Sequence, residues 1–247
     1  MIYKKAVSFI KRDLILATSY KFDFFIRLFF MFFSILTFFF VSKLIGDVNY
    51  LYFLAPGILF MVVVNNSYMT ISMRLMMARD WDKTLITALS APIRPVEIVL
   101  GYIFAGVTQA LAACAIFIVL MNYFLGIPFG SVSLILLLII ATAAFFSSLA
   151  VAISMVLDNP YHLMVVTSLV VVPMSFFCGI FIPVTDLPNW AQPVIKAIPL
   201  TVAVQAARAI ALSTGNPHLW QNMAYIIAFT IAVFLIGLHL FKKKVIT

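Results

Sequence analysis

Apolar runs alternate with short polar stretches along the whole chain. A helix needs about 20 mainly apolar residues to cross the hydrocarbon core of a bilayer. Six runs meet this length, namely Phe24–Ile45, Tyr50–Met73, Ile98–Leu125, Val132–Leu157, Leu163–Ile182 and Met223–Phe241. The pattern therefore predicts an all-α integral membrane protein with six transmembrane helices, in which residues 1–247 form a single domain.

The region between the fifth and sixth runs, residues 183–217, has a different pattern. Its apolar part, Ala191–Leu212, is divided into two short pieces by Pro193, Lys196, Pro199 and Arg208. Irregular backbone is tolerated at membrane depth only where protein covers it or where it lines a cavity. We therefore predict a re-entrant helical hairpin here, with an ordinary loop as the alternative.

Residues 1–22 combine basic and apolar positions with helical spacing. At about 100° per residue, Lys5 and Arg12 lie on one side of a helical wheel and Ile10 and Leu14 on the other. Such a helix before a membrane span is expected to lie along the inner surface, with its cations at the lipid headgroups. The alternative is a basic flank that only fixes the orientation of the first span.

The charge distribution predicts the orientation of the chain. Hydrophobic residues make up 65% of the sequence, charged residues 10%, and the net charge is +8. With both termini cytoplasmic, only Lys43, Lys196 and Arg208 of the 16 basic residues fall on the outer side, as the tendency of basic loops to stay inside requires. Because the basic residues flank membrane spans instead of forming a soluble basic face, we expect contact with lipid headgroups and no binding of nucleic acid.

The loop between the second and third runs, residues 74–97, is the most charged stretch away from the termini. Its first part, Met76–Ile86, is predicted to be a short helix with a polar and an apolar side. Trp81 stands among charged residues there, which suggests a docking surface for another protein. A helix lying on lipid is the alternative. The candidate docking residues are Met76, Arg79, Asp80, Trp81 and Lys83.

The motifs of common enzymes and of proton-coupled carriers are missing. No glycine is followed by lysine, so the phosphate-binding loop of ATPases is absent. The three histidines lie in separate regions, and the eight acidic residues lie in loops or near span ends. We therefore expect no enzyme activity and no cofactor bound by this chain.

The order of a surface helix, six spans, a charged loop after the second span and an outer segment from Gly179 to Arg208 covers nearly the whole chain. In this order, and most specifically in the outer segment, the sequence resembles permease subunits of type-2 ATP-binding-cassette (ABC) exporters. Members of that family typically show Gly-x-x-x-Pro-x-x-x-Leu-Pro-x-Trp, then Pro-Leu-Thr and, a few residues on, an arginine. Gln205 departs from the pattern, since an acidic residue is common at that position. The matching residues here are Gly179, Pro183, Leu187, Pro188, Trp190, Pro199, Leu200, Thr201 and Arg208.

The resemblance implies roles for both unusual regions. Met76–Ile86 would be the coupling helix that docks on a separate ATPase subunit, which would carry the ATP and Mg. Pro183–Ala211 would form re-entrant hairpins that close the outer mouth as a gate. The complex implied is two permeases with two ATPases in a bacterial or archaeal plasma (inner) membrane, the permeases forming a homodimer or a heterodimer.

These expectations lead to an export permease for an amphipathic substrate, such as a lipid-linked glycan, a lipo-oligosaccharide or a hydrophobic drug. One alternative is a stand-alone channel or secondary carrier, which would need ionisable residues along its path. Another is a membrane-embedded enzyme that modifies lipids, which would need converging acids, bases or metal ligands.

Overall fold

A computed structural model describes residues 29, 32–33, 36–37, 39–40, 43, 48–81, 85, 94–127, 129–211 and 218–246. The α-helices are α1 (Val48–Val64), α2 (Thr70–Asp80), α3 (Pro95–Leu125), α4 (Val132–Val156), α5 (Pro160–Val166), α6 (Val172–Phe177), α7 (Gln192–Lys196), α8 (Pro199–Ala211) and α9 (Leu219–Ile246). Two π-helical turns, Asn65–Met69 and Thr167–Val171, join α1 to α2 and α5 to α6. No strand occurs among these residues, so the predicted all-α class is confirmed for them.

Five helical stretches in the described part are long and apolar enough to cross a membrane, and they are Tyr50–Asp80, Pro95–Phe124, Val132–Val156, Pro160–Phe177 and Leu219–Lys244. Eight residues of the predicted first span are described, and all eight are helical. One of them, Phe32, places its ring 6.0 Å from that of Phe124 at the end of α3. The predicted surface helix, residues 1–22, lies outside the described residues.

Local sequence explains where several helices begin and end. At the start of α3, the Arg94 backbone N–H donates to the Glu97 carboxylate at 3.2 Å, and Pro95 occupies the first helical position. Gly126 ends α3 in a left-handed conformation with φ 62°. The Asn159 side chain caps α5 by accepting from the Tyr161 N–H at 2.9 Å.

Helix α4 is the centre of the bundle, and other helices approach it closely where side chains are small. A Cβ on Gly237 of α9 would lie 3.4 Å from the Ala152 backbone nitrogen. A Cβ on Gly106 of α3 would lie 2.1 Å from Ser147 Oγ. Small residues permit this backbone approach, which is how helices associate in lipid.

The short helix α8 is also packed into the bundle. It contacts α1, α4 and α9. Its leucine, three of its alanines and its single arginine, Arg208, are buried, whereas Gln205 is exposed. The segment between the last two spans therefore ends in a helix that is part of the core.

The bundle has two distinct ends. At one end, here called the Arg79 end, Arg79 contacts Leu157, and Lys244 contacts the same residue. At the other, here called the Arg208 end, Arg208 contacts Phe53, and Tyr225 of α9 donates to the Ala197 carbonyl at 2.6 Å.

Several element boundaries differ from the sequence prediction. The third, fifth and sixth spans begin earlier than predicted, at Pro95, Pro160 and Leu219. Two other differences change the interpretation of a segment. The helix of the second span does not stop at Met73 but continues to Asp80. The residues from Met76 to Asp80, which were predicted to start a separate helix, are therefore the end of this span. The fifth span ends at Phe177 instead of Ile182, because Gly179 adopts φ 83° and turns the chain.

A matched pair of glycines tests the packing of the α3–α4 connection against α8. Gly126 and Gly130 have φ 62° and 61°, but a Cβ at Gly126 meets nothing within 4 Å, whereas a Cβ at Gly130 would lie 2.3 Å from the Ile210 carbonyl oxygen. We expect Gly126→Ala to cost about 1 kcal/mol of stability through backbone strain alone, and Gly130→Ala to cost about 1–3 kcal/mol more through the clash.

Thermal unfolding in detergent can be followed with a thiol-reactive dye, since Cys114 and Cys178 are buried and not paired. Equal unfolding temperatures for the two variants would contradict the contact between this connection and α8.

Candidate functional site

The side chain of Arg208 links three parts of the Arg208 end. Its Nε donates to the Phe53 carbonyl of α1 at 3.0 Å, and its Nη2 donates to the Ile180 carbonyl at 2.9 Å. The guanidinium lies over the Phe53 ring, 3.5 Å from its centroid. Arg208 is only 9% exposed. A buried cation is tolerated when it is hydrogen-bonded, and here carbonyl oxygens and an aromatic face supply that environment.

The turn that follows α6 is shaped to receive Arg208. Gly179 lies in this turn, where a Cβ would be 2.8 Å from Val184 Cγ2. Ile180 packs so tightly on α1 that a Cβ at Gly57 would lie 2.8 Å from its side chain. The Tyr50 hydroxyl donates to the Phe181 carbonyl at 3.1 Å. Contacts of two consecutive residues, Ile180 and Phe181, therefore fix the turn to α1.

The other residues predicted for the outer gate are spread over the same segment. Pro183 precedes the short 3-10 turn Val184–Asp186, and Leu187 follows it. The Pro188 carbonyl accepts from the Ala191 N–H at 2.9 Å, and Trp190 is 80% exposed. Pro199 is buried at the start of α8. The structure thus brings Gly179 close to Arg208 and leaves Trp190 on the surface.

At the Arg79 end, the guanidinium of Arg79 reaches α4. Its Nη1 donates to the Ser154 carbonyl and its Nη2 to the Leu157 carbonyl, both at 2.8 Å. Its Nε and Nη2 also donate to the two carboxylate oxygens of Asp80, at 2.6 and 2.7 Å. A planar guanidinium suits this arrangement because its donors have fixed directions.

The remaining residues predicted for docking differ in exposure. Met76 is 1% exposed and belongs to the core. Trp81 directly follows α2 and is 67% exposed, so a partner could contact its ring. Lys83 lies outside the described residues.

A second ion pair lies at the same end. Lys244 of α9 contacts the Asp158 carboxylate and the Leu157 carbonyl. The hydrogen bond from Lys244 lowers the pKa of Asp158, and the positive charge of Lys244 adds to the effect. Because the folded-state pKa is below the ordinary value, the pair is present at neutral pH and is lost only in acid, when the carboxylate protonates.

A polar level lies midway between the two ends, at the π-helical turns. The Tyr68 hydroxyl and Thr167 Oγ1, one from each turn, are 3.2 Å apart and buried. Asn65, one turn before Tyr68, is exposed, as is Ser168 beside Thr167. Sequence reasoning missed this pairing because a π turn leaves no periodic signal. The run Asn65-Asn66-Ser67-Tyr68 inside an apolar stretch was the available cue.

No group of three His, Cys, Asp or Glu side chains lies close enough to hold a metal ion within the described part of the chain.

Comparison with known proteins identifies the family. Residues 7–212 match the family model described as ABC-2 type transporter. The chain belongs to the ABC-2 type transporter family. The match includes both Arg79 and Arg208, so both ends of the bundle lie within the family region. The resemblance to type-2 ABC permease subunits is thereby confirmed.

Relatives of this ABC-2 type transporter come from several bacteria. The inner membrane transport permease YadH of Escherichia coli (strain K12) is 23% identical over 206 residues, which cover 82% of this chain and 80% of the relative. Nodulation protein J of Rhizobium meliloti (strain 1021) is 26% identical over 207 residues, covering 81% and 76%. With five candidate spans, the chain is a multi-pass membrane transport permease.

Arg208 is expected to hold the Arg208 end together. Arg208→Gln removes two charge-assisted hydrogen bonds, one to the Phe53 carbonyl and one to the buried Ile180 carbonyl, so stability should fall by about 2–3 kcal/mol. Lys196→Gln, an exposed cation of the same segment, is the matched control. The measurement is the thiol-dye unfolding temperature, and a similar small shift in both variants would show that the Arg208 contacts contribute little.

Proposed function

We propose that this ABC-2 type transporter is the permease subunit of an ATP-driven exporter in a bacterial or archaeal inner membrane. The observation that carries the proposal is the arrangement at the Arg79 end. An exposed Trp81 stands at the end of a helix that is continuous with a membrane span and fixed to α4. A displacement imposed on Trp81 from outside would therefore reach the membrane part of the protein.

The Arg79 end is assigned to the cytoplasm and the Arg208 end to the outside. The described basic residues of the Arg79 end are Arg74, Arg79, Arg94, Lys242, Lys243 and Lys244, whereas the Arg208 end has Lys43, Lys196 and Arg208. Basic residues at span ends stay on the cytoplasmic side. With six spans, both termini are then cytoplasmic.

The partner at the cytoplasmic side is a separate ATPase subunit, in two copies, that binds ATP and Mg. It docks on Trp81 and the segment after it. A solvent-exposed tryptophan is a frequent binding hot spot, because it offers a large rigid contact area.

The permease itself pairs with a second permease, a homodimer or alternatively a heterodimer. The fifth span supports this, since most of its large apolar side chains are exposed, including Met164, Leu169 and Phe176. Only a narrow stripe faces the bundle, and its residues are Leu163, Thr167, Val171 and Ser175.

Residues 183–217 form the outer gate as a re-entrant hairpin. Support comes from the burial of α8 and from the contacts of Arg208, which fix the hairpin to α1. Opening the gate would require these contacts to move together, because Gly57, Ile180 and Arg208 belong to one packed set.

An amphipathic substrate fits the polar level at mid-span. Exposed Asn65 and Ser168 lie next to exposed Met69 and Leu169, so hydrogen-bonding and apolar surfaces alternate at the same depth. Lipid-linked glycans, lipo-oligosaccharides and hydrophobic drugs share this combination.

Two exposed tryptophans at opposite ends test the docking proposal. The tagged chain is purified gently from its native membrane, and the ATPase that accompanies it is quantified by mass spectrometry. Trp81→Ala should reduce the ATPase at least tenfold, because a central hot-spot ring contributes about 2 kcal/mol or more. Trp190→Ala should retain the ATPase and change the export rate. Equal recovery of ATPase with both variants would remove Trp81 from the docking surface.

The same two positions test the orientation. Both native cysteines are buried, so labelling of this chain by a thiol reagent reports the cysteine introduced at position 81 or 190. A membrane-impermeant maleimide should label Trp190→Cys and leave Trp81→Cys unlabelled until the cells are opened. The reverse labelling would invert the proposed orientation.

A further inference from the structure

The side chain of Arg79 turns towards α4 instead of the loop that follows it. Four of its five N–H groups donate, two to the Asp80 carboxylate and one each to the Ser154 and Leu157 carbonyls. The side chain is 12% exposed. Arg79 therefore has little donor capacity and little surface left for a protein partner.

The two carbonyls that Arg79 contacts belong to the end of α4. The last carbonyls of a helix have no partner within the helix and carry partial negative charge, so a cation is favoured there. Leu157 follows the final residue of α4, and its carbonyl accepts from Arg79 at 2.8 Å and from Lys244 at 3.5 Å. One helix end is thus shared by cations from α2 and α9.

A further contact fixes α2 to α4 about two turns earlier. The Ser154 hydroxyl lies 2.7 Å from the Ala150 carbonyl of its own helix and 3.2 Å from the Ser72 carbonyl of α2, so its single hydrogen is shared between the two, and both Ser154 and Ser72 are buried. Since Ser72 and Arg79 lie seven residues apart on one helix, α2 is attached to α4 at two levels. If the end of α2 moves, the contacts of Arg79 require the end of α4 to move with it.

We propose that Arg79 is a positioning residue that transmits motion of the Trp81 segment to α4 and α9, and that it is not a docking contact. The set of residues involved, here called the Arg79 cluster, is Arg79, Asp80, Ser154, Leu157, Asp158 and Lys244. This proposal rests on the proposed function, since ATP-driven motion of a partner is what the cluster would transmit. The structural part, that Arg79 holds the end of α4, stands independently of any partner.

The structural part is tested by hydrogen exchange on the full chain in lipid nanodiscs. The amide of Leu157 donates to the Ile153 carbonyl and reports opening of the last turn of α4. Arg79→Gln should raise exchange in peptides covering residues 153–158 about tenfold or more, because charge-assisted bonds to that turn are lost. Arg79→Lys, which keeps the cation but not the planar group, should give an intermediate increase and remains informative if the glutamine variant fails to fold.

Arg94→Gln is the matched control, since Arg94 is an exposed arginine at the other side of the same loop. It should leave exchange at residues 153–158 unchanged. Unchanged exchange in both Arg79 variants would overturn the proposal.

The transport part is tested with the complex. In Arg79→Gln the ATPase should still copurify, while substrate exported per ATP hydrolysed falls at least fivefold, with partial recovery in Arg79→Lys. Loss of the ATPase from Arg79→Gln, as expected for Trp81→Ala, would instead make Arg79 a docking residue. Raised exchange with unchanged export per ATP would reduce it to a structural role.

If the wild-type chain brings no ATPase, the proposed function fails, and the exchange data still decide whether Arg79 holds α4.

Discussion

Close backbone approach around α4 is the constraint on which the rest of the structure depends. Helices in lipid gain little from burying apolar side chains against each other, because the lipid tails are equally apolar. Association therefore relies on close packing and on hydrogen bonds between helices. Gly106 and Gly237 bring α3 and α9 against the small residues of α4, and the Arg79 guanidinium of α2 donates to carbonyls at the end of α4. The packing of these helices around α4 determines where the Arg79 end and the Arg208 end of the bundle lie.

Each end is completed by an arginine that donates to main-chain carbonyls. Arg208 bonds carbonyls of α1 and of the turn after α6, and Arg79 bonds carbonyls at the end of α4. The two environments differ in one respect. Asp80 neutralises Arg79, whereas carbonyl oxygens and the Phe53 ring surround Arg208. Each arginine donates to main-chain carbonyls of other elements, and it thereby links parts of the chain that are distant in sequence.

The sequence predicts elements whose signal is local. The bounds of α4 were predicted to within one residue, because its apolar run ends at Asp158, Asn159 and Pro160. The continuation of the second span to Asp80 was not predicted, since Arg74 and Arg79 resemble loop residues until their partners are known. The contact of Arg79 with Leu157 joins residues 78 positions apart, and no periodicity carries that information. Arg208 was identified through the family pattern, but its partners Phe53 and Ile180 emerged only from the packing.

The π turn within the second span explains how one helix packs against different neighbours at its two ends. At 31 residues this helix is about 46 Å long, well beyond the roughly 30 Å of hydrocarbon, and it is fixed at both ends to different neighbours. One end packs on the turn at Ile180, and the other packs on α4. A π turn adds one residue to a helical turn, which rotates the side chains after it by about 100° around the helix axis. The two halves of the helix can therefore direct different stripes of side chains at different neighbours. The turn at Asn65–Met69 lies between the two contacts, and Tyr68 there bonds the matching turn of the fifth span. The π turns of the second and fifth spans therefore lie at the same depth and are bonded to each other, so the rotation of the helix face occurs where the two spans are joined.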